Sequence, residues 1–501
     1  MLAILQLDAA SVSRLGTFLE QGRLPTLAML AERGRSLELE TPATHFAAGS
    51  FHTLYSGTEM ADHGLFYPFQ WSAPEQRVRY MADLEAPPAI WEHLARLGRR
   101  TLAIDPYESR PPREAAGTFL SGWQFSDRVV LPRWSSPPGV HRRLRELYGP
   151  PFRAEEVFGK PSVGSLVRLR RQLLAAPARL AEAAEHLLAG NRFDFAWFTF
   201  SAAHLAGHKF WDLSQLDADE LDAGTRGVLE EALPQVYAAV DGAFARVLAA
   251  LPEGTDIIVT SPVGMEVNTS RADLLPEMLE AVLSGGAVPA RAPGSIWRLR
   301  AAVPTDLRGR VAQALPDRAA LELTARLELR GMDWARTRAF VHPGDNQGYI
   351  RVNLKGRELK GTVDPVAFDD LIEEIREGLA TFRDPDGAPA VAAVERVTEV
   401  FGEGERVDRL PDLIVRWSDR PATRLEGVTS PRFGDVVRRG GASGRAGNHP
   451  DGGAWALLAP ATARHRELAR APRVSDVAAT VAALVAGDPE GVSGEPLLES
   501  A

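Results

Sequence analysis

Apolar residues along this chain fall into two kinds of run. Some are short and unbroken, closing on a polar residue; others recur every three or four positions. Leu2-Ala3-Ile4-Leu5-Gln6-Leu7-Asp8 is of the first kind, with five of the six residues before Asp8 apolar. That pattern predicts a strand buried on both faces, as in a parallel sheet covered by helices. Ser11 then sits where a cap belongs, followed by helical spacing through Leu15, Phe18 and Leu19. Thr101–Asp105, Ala196–Phe200 and Asp256–Ser261 read as further buried strands, and Arg35–Glu40 as an alternating one. Between them lie helical patterns over Ile90–Leu97, Val163–Gly190 and roughly 218–251. Strands alternating with helices predict an α/β fold: a doubly wound, mostly parallel sheet with helices on both faces.

The pattern is interrupted twice. Residues from about 111 to 161 are rich in proline, arginine and tryptophan and read as an irregular covering segment. From about 288 the composition shifts. Helical stretches near 305–315 and 318–328 lead to strands at Ala339–His342 and Tyr349–Asn353, a helix over Pro365–Thr381 and a strand at Ala390–Val397. These form a small α+β unit that reads as an insertion. Asp412–Trp417 reads as the return to the core sheet, Trp455–Leu458 as a last strand and Ser475–Ala486 as a last helix. The chain is therefore divided into a core over 1–290, with its covering segment at about 111–190, a mixed segment over 291–405, and a return to the core over 406–501.

Composition narrows the function. The chain has 501 residues, 45% hydrophobic and 25% charged, as in an ordinary globular protein. A net charge of −9 argues against nucleic acid as the partner. The absence of cysteine excludes disulfides, thiolate catalysis and cysteine zinc sites. No apolar run approaches the roughly 18 residues of a membrane span, so no membrane partner is expected and the cytoplasm is the expected location. Oligomeric state is left open, a homo-oligomer included.

Candidate chemistry sits where strands end. Asp8 closes the first strand, at the edge where open α/β sheets bind ligands. His204 and His208 follow Ala196–Phe200 at a spacing of four, which puts both on one helix face. Thr41–Gly57 reads as a loop running into a helix that stops at Gly57, with Thr44, His45, Ser50 and His52 near its start. Glu266 and Asn268 follow Asp256–Ser261, and His449 lies in the polar loop Gly447–Gly452.

Several motifs carry a family likeness. They are Asp8 with Leu24-Pro25-Thr26-Leu27, Ser56-Gly57 with His63-Gly64, and Tyr237 with Asp241. The most specific is Tyr349–Glu358, with Gly361-Thr362-Val363, Asp384-Pro385 and Pro411-Asp412-Leu413. With these the chain resembles the alkaline-phosphatase superfamily, in its type I phosphodiesterase/nucleotide pyrophosphatase branch, over nearly its whole length. The resemblance implies one large α/β domain and two metal ions at the carboxyl edge of the sheet. One ion would be held by the first-strand Asp, a Ser/Thr nucleophile and an Asp-His pair. The other would be held by an Asp-x-x-x-His pair and the His of the C-terminal loop.

This sequence departs from that pattern. His204 stands where the family has Asp, Pro262-Val263 replace the Asp-His pair, and Ala47 falls at the nucleophile position. One metal site is lost. The other reads as His204, His208 and His449, a set suited to a single divalent first-row ion, zinc by preference. The expected function is a metal-dependent hydrolase acting on a small phosphorylated or related ester through this site. The assigned roles are catalytic for Asp8, His45, Ser50 and His52, and substrate-binding for Thr44, Glu266 and Asn268. The alternative is a catalytically silent relative that binds a phosphorylated ligand or a protein partner.

Overall fold

The computed structural model describes residues 1–153, 160–286, 317–327, 329, 332–344, 346–438, 444–487 and 492–501. Twelve strands frame the site: β1 (Leu2–Leu7), β2 (Arg35–Leu39), β3 (Thr101–Ile104), β4 (Gly117–Ser121), β5 (Trp134–Ser136), β6 (Phe195–Phe200), β7 (Asp256–Ser261), β8 (Ala339–His342), β9 (Gly348–Val352), β10 (Val391–Arg396), β11 (Leu413–Trp417) and β12 (Ala454–Ala459). Eight of them form the main sheet, in the order β2-β12-β7-β1-β6-β3-β4-β5. From β7 to β4 every pairing is parallel, while β12 and β5 run antiparallel to their neighbours. This is the predicted doubly wound α/β sheet. Every residue of β1 is buried, as an unbroken apolar run requires of a central strand.

Three readings are corrected. The segment read as irregular contributes β4 and β5 to the main sheet, β4 pairing with β3 through Thr101–Gly117 to Ile104–Leu120. Its prolines lie outside those two strands, and a proline-rich context hid them. The strand at 413–417 does not return to the core sheet. It joins a second, antiparallel sheet of order β8-β9-β11-β10, and the return is made by β12 instead. The predicted helix near 305–315 lies outside the described residues. The predicted helix over 218–251 is in fact two, Ala223–Glu230 and Ala232–Ala250. Among the described residues no helix is long and apolar enough to cross a membrane.

The second sheet has its own apolar core, in which Ile350, Val352, Leu413 and Val415 meet Ile375 and Leu379 of the helix Phe368–Leu379. It also buries an ion-pair network. Arg351 Nε donates to Glu358 Oε1 at 2.7 Å, and Arg357 Nε to the same oxygen at 3.0 Å. The indole of Trp71 donates to Glu358 Oε2 at 2.7 Å. Arg357 grips Asp412 with both terminal nitrogens, at 2.6 and 2.8 Å, and Val352 N donates to the same carboxylate. Both lone pairs and both cations are matched, which is what a buried charge needs to be tolerated. The motif residues Arg351, Arg357, Glu358 and Asp412 are therefore struts. Tyr237 and Asp241 are struts as well. The Tyr237 hydroxyl accepts from Ser11 N, and the Asp241 carboxylate accepts from Thr26 N and Leu27 N, capping the helix Pro25–Arg33.

Candidate metal centre

Two chain segments deliver one cluster of three histidines to the carboxyl edge of the main sheet. After β6, Ser201 leads into the helix Ala202–Phe210, which carries His204 and His208 one turn apart on its buried side. His449 comes from the loop before β12. That loop is pinned to the main body by a short ladder pairing Glu266 with Asn448 and Val267 with Gly447. It lies so close to the helix that a Cβ on Gly447 would stand 2.4 Å from the carbonyl of Gly207, so a glycine is required there.

The hydrogen bonds behind the rings decide what faces inward. His208 Nδ1 lies 2.9 Å from the carbonyl of Gly447, and His449 Nδ1 lies 2.7 Å from the carbonyl of Gly264. His204 Nδ1 lies 3.1 Å from Asp8 Oδ2. Carbonyls and carboxylates accept, so each Nδ1 carries the proton and donates. Each Nε2 is thereby turned inward. The three Nε2 atoms converge, with His204 Nε2 at 2.9 Å from that of His208 and 3.1 Å from that of His449. Three nitrogens bound tetrahedrally to zinc at its usual bond length would stand about 3.3 Å apart. The donor set therefore fits a first-row divalent ion. Burial holds His208 and His449 well below the ordinary histidine range, with the positive charge of Arg445 adding to the effect on both. Both rings are then neutral ligands at neutral pH.

The cluster opens on a cavity whose walls include Ala47, Tyr107, Glu108, Val263 and Arg445. Ala47 is the first residue of the helix Ala47–Ser56, so the position counted back from Gly57 does face the histidines, with a methyl group in place of a hydroxyl. Val263 lines the same wall, without a ligand atom.

Of the other predicted residues, only Asp8 bonds one of the three rings. Asp8 stands behind His204 and also accepts from Ala9 N. Ser50 is buried, its hydroxyl directed to the carbonyl of Phe46 and to Thr41 Oγ1, each at 3.3 Å. His45 bonds Glu395 at 3.1 Å, and Glu395 in turn accepts from Arg416. His52 lines a different cavity with His63 and Arg110, and burial lowers its pKa to about 4. Thr44 Oγ1 accepts from Gly452 N. Glu266 accepts from the hydroxyls of Ser11 and Ser13. Asn268 donates to the carbonyl of Arg445 and braces the loop that presents His449.

Tyr107, Glu108 and Arg445 were missed in the sequence. The Tyr107 ring centroid lies 5.2 Å from that of His204. Glu108 is buried in a left-handed conformation, φ +53°. The strand-end rule applied to Asp105-Pro106-Tyr107-Glu108 would have found the first two. Asp105, the acid it does flag, is spent on Trp123 N and the amides of Gln124.

A model of the type I phosphodiesterase / nucleotide pyrophosphatase family matches residues 2–423. No curated protein matches the chain. Among solved structures, phosphonoacetate hydrolase from Sinorhizobium meliloti 1021, in complex with phosphonoformate, is similar at 15% identity and a TM-score of 0.49, over 95% of this chain and 94% of that one. Murine ectonucleotide pyrophosphatase / phosphodiesterase 5, as an inactive variant with AMP, is similar at 10% identity and a TM-score of 0.49, over 97% and 94%.

Proposed function

The chain belongs to the type I phosphodiesterase / nucleotide pyrophosphatase family, within the alkaline phosphatase superfamily, and from that premise we propose that it hydrolyses a small phosphorylated ester at a single three-histidine metal centre. The observation that carries this reading is the convergence of the three rings. Each Nδ1 faces an oxygen acceptor behind it, and the three Nε2 atoms meet at one point. A divalent first-row ion there, zinc by preference, would supply Lewis acidity and acidify water near pH 7.

The chain's own groups divide the remaining work. Asp8 fixes the ring plane and tautomer of His204, as outer carboxylates do for ligating histidines. Arg445 places a cation on the cavity wall, where it favours an anionic substrate. Glu108 is one of two carboxylates lining that cavity, with Asp127, and is the candidate to hold a proton during bond cleavage. Ala47 offers no nucleophile, so no covalent phosphoryl-enzyme forms at that position. Ser50, His45 and His52 take no catalytic part, because each is turned to a structural neighbour or to another cavity.

Metal analysis of purified protein, followed by assay of phosphodiesters, phosphomonoesters, sulfate esters and nucleotide pyrophosphates under metal titration, tests this. One ion per chain, activity lost in His208→Ala and kept in Ser50→Ala, supports it. A second reading draws on Ala47 and Val263, which remove the nucleophile and the other metal site. Should the metal-loaded protein turn over none of these esters while a phosphorylated ligand raises its Tm, the chain is a binding protein.

A further inference from the structure

Arg445 is fixed to the same framework as the rings. Ala446 N donates to the carbonyl of His208 at 2.8 Å, and the carbonyl of Gly447 lies 2.9 Å from His208 Nδ1. Lys209 Nζ donates to the carbonyl of Gly444 at 2.7 Å. On the other flank the Arg445 carbonyl accepts from Asn268 Nδ2 at 2.9 Å and from Thr423 Oγ1 at 3.2 Å, and Asn268 N donates to the carbonyl of Ala446 at 2.8 Å. Backbone pinned on both sides holds Arg445 half-buried in the wall of the cavity that all three histidines line. A guanidinium keeps its charge at every working pH, and this one is felt at two of the rings, where it adds to burial in keeping His208 and His449 neutral. Glu108 and Asp127 also line the cavity, but the side-chain charges acting on His449 are those of His204 and Arg445. Three neutral imidazoles do not offset the charge of a divalent ion. An ion held by them keeps that charge in full, beside a fixed cation, in a site that salt and water screen less than open surface.

We propose that Arg445 makes metal and anion loading cooperative: it opposes a divalent ion at the three histidines while the cavity is empty, and favours one once a phosphate-type dianion lies against both. The inference rests on the phosphoryl reading above and adds a regulation to it, since the centre then holds its ion tightly only with substrate or product present. A dianion between two cations is attracted by both and cancels their repulsion. By linkage, anion and metal must each raise the affinity of the other by the same factor.

The test measures zinc affinity of the full chain by competition with a chelator, at low ionic strength, with and without inorganic phosphate and with free zinc corrected for its phosphate complexes. Phosphate should raise the zinc affinity of the wild type about tenfold. Calorimetry should show phosphate binding the zinc-loaded chain tighter than the metal-free chain by that same factor. Arg445→Met should bind zinc about fivefold tighter than the wild type in phosphate-free buffer and lose the enhancement, while Arg445→Lys, which keeps the charge, should keep both behaviours. The sign separates this role from a structural one, which would weaken zinc binding in Arg445→Met. A wild-type zinc affinity that phosphate leaves unchanged overturns the proposal. So does an enhancement that persists in Arg445→Met, or zinc binding that is no tighter there. With one zinc still bound per chain, any of these outcomes leaves ester hydrolysis to its own assay; no zinc bound by the wild type removes both readings together. The wild-type comparison needs no variant, so it decides even if Arg445→Met fails to fold.

Discussion

Two groups of buried polar side chains can be set side by side, one beneath the second sheet and one at the edge of the main sheet. In the first, Arg351, Arg357, Glu358 and Asp412 pair cation to anion, and Trp71, Val352 N and backbone carbonyls meet their remaining donors and acceptors. In the second, His204, His208 and His449 each bond an oxygen behind the ring and meet only one another in front. A closed network has nothing left to bind with, and its energy goes into holding the chain. An open one spends stability on readiness. The residues most diagnostic of the family are the closed ones, so sequence likeness here reports architecture more strongly than chemistry.

The sharpest test of this contrast is Glu358→Gln. It leaves the guanidinium of Arg351, 2% exposed, without its full counter-charge, and should cost about 3–5 kcal/mol in denaturant unfolding whether or not metal is present. His208→Ala should cost the metal-free protein far less. If the two losses prove equal, the histidines are struts too and the contrast fails.

Acid should weaken the molecule next. His342 accepts from Trp71 N at Nε2 and donates from Nδ1 to the carbonyl of Pro343, and burial lowers its pKa to about 4. The unfolded chain takes up this proton near pH 6.5 and the folded chain only near 4, so the unfolded state binds more protons between them. Stability is therefore full above 6.5 and is lost progressively as pH falls toward 4, by about 3 kcal/mol for this group. Equilibrium unfolding from pH 7 to 4 checks it, and His342→Gln should flatten the slope. A slope unchanged in that variant assigns the acid response elsewhere.

Zinc at a hundred times its Kd should add about 2.7 kcal/mol to the wild type and nothing to His208→Ala. Asp8→Asn keeps the fold but loosens the orientation of His204, and should weaken metal binding about 10- to 100-fold in a competition titration. The smallest effect is expected for Ser50→Ala, whose two hydroxyl contacts are long, at about 1 kcal/mol of stability with metal affinity unchanged.

Much of this was legible in the chain. The first strand, the Ser11 cap and the turn at Gly57 are local events, and local pattern specifies them. So is the pairing of His204 with His208, which needs only a helix. What escaped was pairing over distance. Nothing within Leu413–Trp417 says which sheet it joins; Arg357, gripping Asp412 from far upstream, settles that. The loop histidines His45 and His52 looked catalytic because they lie near a helix start, but direction and not proximity decides, and both point away. Arg445 carries no pattern at all, and only its place on the cavity wall singles it out.

The position of β12 bears on how the protein is made. That strand sits between β2 and β7, so β2 has no neighbour in the main sheet until residues 454–459 exist. On a ribosome adding roughly 5–20 residues each second, the wait is on the order of 20–80 s. His449 emerges just ahead of β12, so the three-histidine cluster is completed only as β12 takes its place between β2 and β7.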